Sequence, residues 1–204
     1  DPINASWEPP KIPGVPDVSM AMEAYSDTPL VNGEVYPYVD VNPQAYRFRI
    51  LNAANDRFFN LQLFVADPTV TTSDGRTNTE VKMVPAQQTT GWPELWPIDG
   101  RAGGVPDPAT MGPDIIQIGT EGGFLPAPVV VSPQPVTWIT NPKEFAMGTV
   151  KDKSLFLGTA ERADVVIDFS KFAGKTLILY NDAPAATPAA DTRNDYFTGD
   201  GGQT

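Results

Sequence analysis

From residue 45 the chain alternates, with apolar Tyr46, Phe48 and Ile50 flanking charged Arg47 and Arg49. A period of two places the apolar set on one face and the arginines on the other, so AYRFRIL (45–51) predicts a half-buried strand. FNLQLFV (59–65) repeats the pattern and turns Leu61, Leu63 and Val65 to a common face. Between them, NAAND (52–56) is rich in side chains that hydrogen-bond nearby backbone and tolerate left-handed conformations, which predicts a tight connection between two strands. Upstream, the turn VNGE (31–34) leads into YPYVDV (36–41), read as a short strand. Downstream, DIIQIG (114–119), APVVVS (127–132), PVTWIT (135–140), SLFLG (154–158), ADVVIDF (163–169) and KTLILYN (175–181) are further strand-like runs. No apolar stripe of helical period lasts three turns. Eight or nine short strands without crossover helices predict an all-β fold, a Greek-key β-sandwich or barrel.

Two regions fall outside this pattern. Residues 66–113 form a long Pro/Gly-rich insertion, and a connection of that length in a compact domain is functional, docked or mobile. Its Trp92 and Trp96 favour docking. The expected organisation is an extended leading segment over 1–18 anchored by Trp7, a domain over 19–181, and an exit linker over 182–204. Starting at Asp1 rather than Met, the chain reads as a processed or excised piece whose targeting signal lies elsewhere.

Charge and composition narrow the chemistry. With 25 acidic and 14 basic residues the net charge is −11, so phosphate backbones and anionic bilayers are repelled and no nucleic-acid partner is expected. No apolar run approaches the roughly 20 residues that cross a bilayer, so no membrane insertion is expected. Cysteine and histidine are both absent from the 204 residues. That removes disulfides, thiolate and imidazole metal ligands, and nucleophilic triads, leaving carboxylate chemistry and hard, oxygen-ligated metals.

Several groups merit a site reading and a structural one. Arg47, Arg49 and Arg57 suit an anion site, but acidic residues such as Asp164, Asp168 and Glu161 offer internal partners, with Arg49 and Arg57 the arginines expected to pair. Glu121 beside Gly122 and Gly123 is expected to shape a turn rather than catalyse, and Arg162 in ERAD (161–164) to form a buried ion pair. Asp74, Asn78 and Glu80, or Asp99, Asp107 and Asp114, supply oxygens for calcium, although their spacing is not that of an EF-hand and Asp-Gly pairs form turns. Met20, Met22, Met83, Met111 and Met147 are scattered, as packing residues are. No catalytic, cofactor-binding or metal residue is assigned.

Four ordered blocks give the chain a resemblance. PLVNGEVYPYVDV (29–41), YRFRILNAANDRFFNLQL (46–63), IQIGTEGGFLPAPV (116–129) and LFLGTAERADVVIDF (155–169) with GKTLILYNDAP (174–184) resemble the middle cupredoxin-like domain of three-domain multicopper oxidases. Many members carry Asp where this chain has Glu121. The motif positions are Asn32, Arg49, Asn52, Arg57, Glu121, Gly122, Gly123, Glu161, Arg162 and Asp164. DGRTNTEVKM and GGVPDPATMGP look more like the large secreted bacterial branch linked to manganese oxidation or extracellular iron metabolism. The resemblance implies a domain without copper that spaces its neighbours, copper being held by neighbouring cupredoxin domains of the same polypeptide. It also implies a secreted, periplasmic or cell-envelope location. A free-standing β-sandwich binding module, an adhesin or a carbohydrate binder using Trp92 and Trp96, is the alternative.

Overall fold

The computed structural model describes residues 29–55, 57–85, 104–134, 139, 141, 143–145, 151 and 154–183. The leading segment with Trp7, most of PVTWIT, the residues Met20, Met22, Trp92, Trp96, Asp99 and Met147, and the linker beyond 183 lie outside the described residues. Among the described residues there is no α-helix. The described residues hold two 3-10 turns, Pro108–Thr110 and Ser170–Phe172, and eleven strands, five of them only two residues long.

In chain order these are β1 (Leu30–Val31), β2 (Glu34–Val35), β3 (Ala45–Leu51), β4 (Phe59–Val65), β5 (Met83–Val84), β6 (Val105–Pro106), β7 (Ile115–Thr120), β8 (Gly123–Val131), β9 (Phe156–Leu157), β10 (Arg162–Asp168) and β11 (Leu177–Asn181). One antiparallel sheet has the order β3-β10-β7-β8 and a second has β11-β4-β9. Leu61, Leu63 and Leu157 of the second sheet form one buried cluster with Ile115, Val131, Ala163, Val165 and Ile167 of the first. The fold is therefore all-β, an antiparallel sandwich closed around this core. Tyr46 and Phe48 lean against Phe169, with ring centroids 6.1 and 6.2 Å away, and add an aromatic edge to it.

The alternation over 45–51 is realised: Tyr46, Phe48 and Ile50 are half-buried while Arg47 and Arg49 are exposed. The Asn-Gly turn forms with Asn32 at φ +52° and Gly33 at φ +88°, as the mirror-image turn of a two-residue hairpin requires. Two readings need correction. YPYVDV is not a strand: the hairpin ends at Val35, Tyr36 turns to φ +47°, and Pro37 has no N–H to donate. NAAND does lie in the connection between two strands, β3 and β4, and these belong to different sheets. β4 is buried on both faces, with Asn60, Gln62 and Phe64 as enclosed as Leu61 and Leu63, whereas Val65 is half-buried.

The described parts of the insertion are tied down. β5 pairs with β6, Ala66 bridges Val81, and Met111 bridges Phe64 along β4. Gly112 then donates its N–H to the Leu63 carbonyl at 2.8 Å, where an added Cβ would sit 2.6 Å from that oxygen.

Candidate functional site

The stretch joining β3 to β4 is organised by Asn52, which is 1% exposed. Its Nδ2 donates to the carbonyls of Arg57 (2.7 Å) and Leu157 (3.0 Å), and its Oδ1 accepts from the N–H of Ala54 (3.0 Å). Its own N–H donates to the Glu161 carbonyl, and its carbonyl accepts from Ala160. The side chain thus ties the crossing loop to β9, and the backbone of the same residue ties both to the turn before β10. Arg57 is buried within this knot. The Glu161 carboxylate closes the same turn by accepting from the N–H of Gly158, while Ala160 takes φ +65°.

At Asp164 and Arg162 the pairing differs from the sequence reading. Asp164 stands opposite Arg49 in register, yet Arg47 takes both of its oxygens, Nε at 2.8 Å and Nη2 at 2.5 Å. A long side chain reaches a diagonal cross-strand neighbour as readily as its direct one. Arg47 also lies 5.7 Å from the ring centroid of Phe124, which is 76% exposed. Arg162 is exposed rather than buried: its guanidinium donates to the Ala160 carbonyl at 2.8 Å. Its backbone N–H, not its charge, meets the Glu121 carboxylate. Glu121 and Gly122 form the two-residue loop between β7 and β8, and Gly123 takes φ +116° at the start of β8. Asp168 accepts from the N–H of Ser170 at 2.9 Å.

The acidic groups of the insertion are held in the same way. Asp107 pairs with Lys82 at 2.8 Å and accepts from the N–H of Ala109, and Asp74 accepts from Thr72 and from Arg76 at 2.9 Å. Asn78 sits in a turn at φ +58° and Asp114 is exposed. Among the described residues no three His, Cys, Asp or Glu side chains gather as metal ligands do. Met83 and Met111 are partly exposed at separate points of the insertion.

Hydrogen-bond donors hold the carboxyls of Asp164, Asp107, Asp168 and Glu121 below their ordinary range, and the Thr72 hydroxyl and Arg76 guanidinium bring Asp74 down to about 2. A general acid near neutral pH needs the opposite displacement, so these groups serve as acceptors that fix turns. The sign for stability follows. Folded values below the unfolded range of about 4 mean the stabilisation is complete above that range and is lost as pH falls through the folded values. Urea midpoints measured from pH 6 to pH 2 should decline mainly below about pH 4; a decline confined to higher pH would contradict these pairings.

The sequence reading passed over Asn60 and Gln62, fully buried amides on β4, and Phe124. Polar residues alternating with leucines look like a solvent-facing row, so no local signal marks their burial.

No family model matches the chain. It is 31% identical over 174 residues to a laccase of Bacillus stratosphericus, covering 85% of this chain and 21% of that protein. It is likewise 31% identical over 165 residues to a laccase of Haloferax volcanii, with 81% and 19% covered. Multicopper oxidase LPR1 of Arabidopsis thaliana is 26% identical over 173 residues, with 85% and 18% covered. Among solved structures, a variant of the McoA multicopper oxidase of Aquifex aeolicus aligns at TM-score 0.45 and 23% identity, over 82% of this chain and 23% of that one. The chain spans about a fifth of the length of these curated relatives.

Proposed function

From the premise that this chain is a domain-sized, cupredoxin-like relative of the laccases and multicopper oxidases, we propose that it is the copper-free middle domain of such an oxidase. The longer polypeptide removes electrons singly from a reducing substrate and passes four of them, with four protons, to dioxygen to form water. This domain spaces and orients its copper-bearing neighbours, and its 66–113 insertion forms part of the substrate-side wall. Residues 19–181 are the domain, flanked by a leading segment and an exit linker, and the parent is secreted or held in the periplasm or cell envelope. Among the described residues no helix is long and apolar enough to cross a membrane.

The observation that carries this reading is the donor set. Laccase and multicopper-oxidase chemistry calls for copper, and copper sites are built from imidazole and thiolate; this chain has neither residue type anywhere in its 204 positions. The residues present do not fit a copper centre, and no step of the reaction is assigned to them. Their carboxylates are engaged by Arg47, Lys82, Arg76 and backbone N–H groups instead. The outer face of the four-stranded sheet supports a packing role, since Phe124 against Arg47, with exposed Leu51 and Val130, has the aromatic, arginine and aliphatic make-up of protein contacts.

Titration of the purified chain with Cu(I) and Cu(II) should give neither one-to-one tight binding nor a blue thiolate-to-copper absorption. The same sample should oxidise neither phenols nor Mn²⁺. Stoichiometric copper with a blue band would overturn the proposal.

A further inference from the structure

β4 encloses two amides on the face turned away from the core, Asn60 at 0% and Gln62 at 3% exposure. Gln62 Oε1 accepts the N–H of Gln134 at 2.7 Å, which settles the orientation of that amide. Its Nε2 then has no partner among the described residues, and neither Nδ2 nor Oδ1 of Asn60 has one. Asn60 is pinned where it stands. Its N–H donates to Asn181 Oδ1 at 2.9 Å and its carbonyl accepts from Asp182 at 3.0 Å, so the strand cannot shift without opening the junction with β11.

Residues two apart share a face of a strand and stand about 7 Å apart, a span that two amide tips joined by water can fill. Two N–H donors and one carbonyl acceptor also suit water, which accepts and donates at once. A cation would meet the NH₂ groups and an anion the carbonyl. We propose that Asn60 and Gln62 form an internal water site behind β4. Water accepts from Gln62 Nε2 and Asn60 Nδ2, and a water also donates to Asn60 Oδ1. Held water satisfies buried polar groups nearly as well as a direct protein partner.

Magnetisation transfer from water to the side-chain NH₂ groups of a ¹⁵N-labelled chain tests this directly. The expected result is cross-peaks from both amides to water with the sign of a bound molecule, resident for longer than about a nanosecond. Cross-peaks to protein protons alone, or with the sign of freely exchanging solvent, would overturn the site. Asn60→Leu removes two of the three water-binding atoms, so the Gln62 water cross-peak should vanish; its survival would show that Asn60 plays no part. Should that variant fail to fold, the unsubstituted chain still decides the question.

Discussion

Replacing Asn52 with alanine should destabilise the protein by about 3–5 kcal/mol, because two buried carbonyls lose their donors at about 1–3 kcal/mol each. Those carbonyls belong to Arg57 and Leu157, and the N–H of Ala54 loses its acceptor as well. Asn52 is 1% exposed, so solvent does not replace the lost partners. For a chain of this size the melting temperature should fall by something on the order of 10 °C. Asn52→Asp makes the sharper comparison. It keeps the shape and the acceptor for Ala54 but turns an oxygen toward the two carbonyls, so it should cost at least as much at neutral pH. Losses near zero for both variants in urea unfolding would show that the Asn52 side chain does not hold this junction.

Phe64→Ala should cost a similar amount, about 3–5 kcal/mol, through lost apolar burial and the cavity left behind. Phe64 is 1% exposed and meets Tyr180 edge to face, with ring centroids 5.8 Å apart. Its backbone also bridges Met111, where the insertion joins β4. Phe64→Leu keeps most of the volume and should lose less than half as much. Equilibrium unfolding of both variants checks the claim; a cost under about 1 kcal/mol for the alanine variant would mean that the outer face of β4 is not packed.

These two residues also mark how far local pattern reaches. Strands β3, β7, β10 and β11 follow from alternation and β-branched runs, and the Asn-Gly hairpin from its turn chemistry, since both signals are local. YPYVDV has strand composition too, but a strand exists only where another lies beside it, and that is not a local property. Asn52 was legible as a turn former through its ability to bond backbone. Its reach to Leu157, 105 positions away, was not.

Charge pairing divides in the same way. An excess of acidic over basic residues made carboxylate partners plentiful for the arginines, yet composition does not choose among neighbours. The register of β3 on β10 placed Arg49 opposite Asp164, and the reach of Arg47 across the diagonal decided the pair. By itself, the sequence determined the all-β class, the strand periodicity and the absence of imidazole and thiol side chains. Only the tertiary structure decided that NAAND crosses between sheets, that Arg162 stays exposed, and that β4 is enclosed on both faces. Periodicity encodes which side chains share a face, whereas burial depends on what distant segments bring against that face.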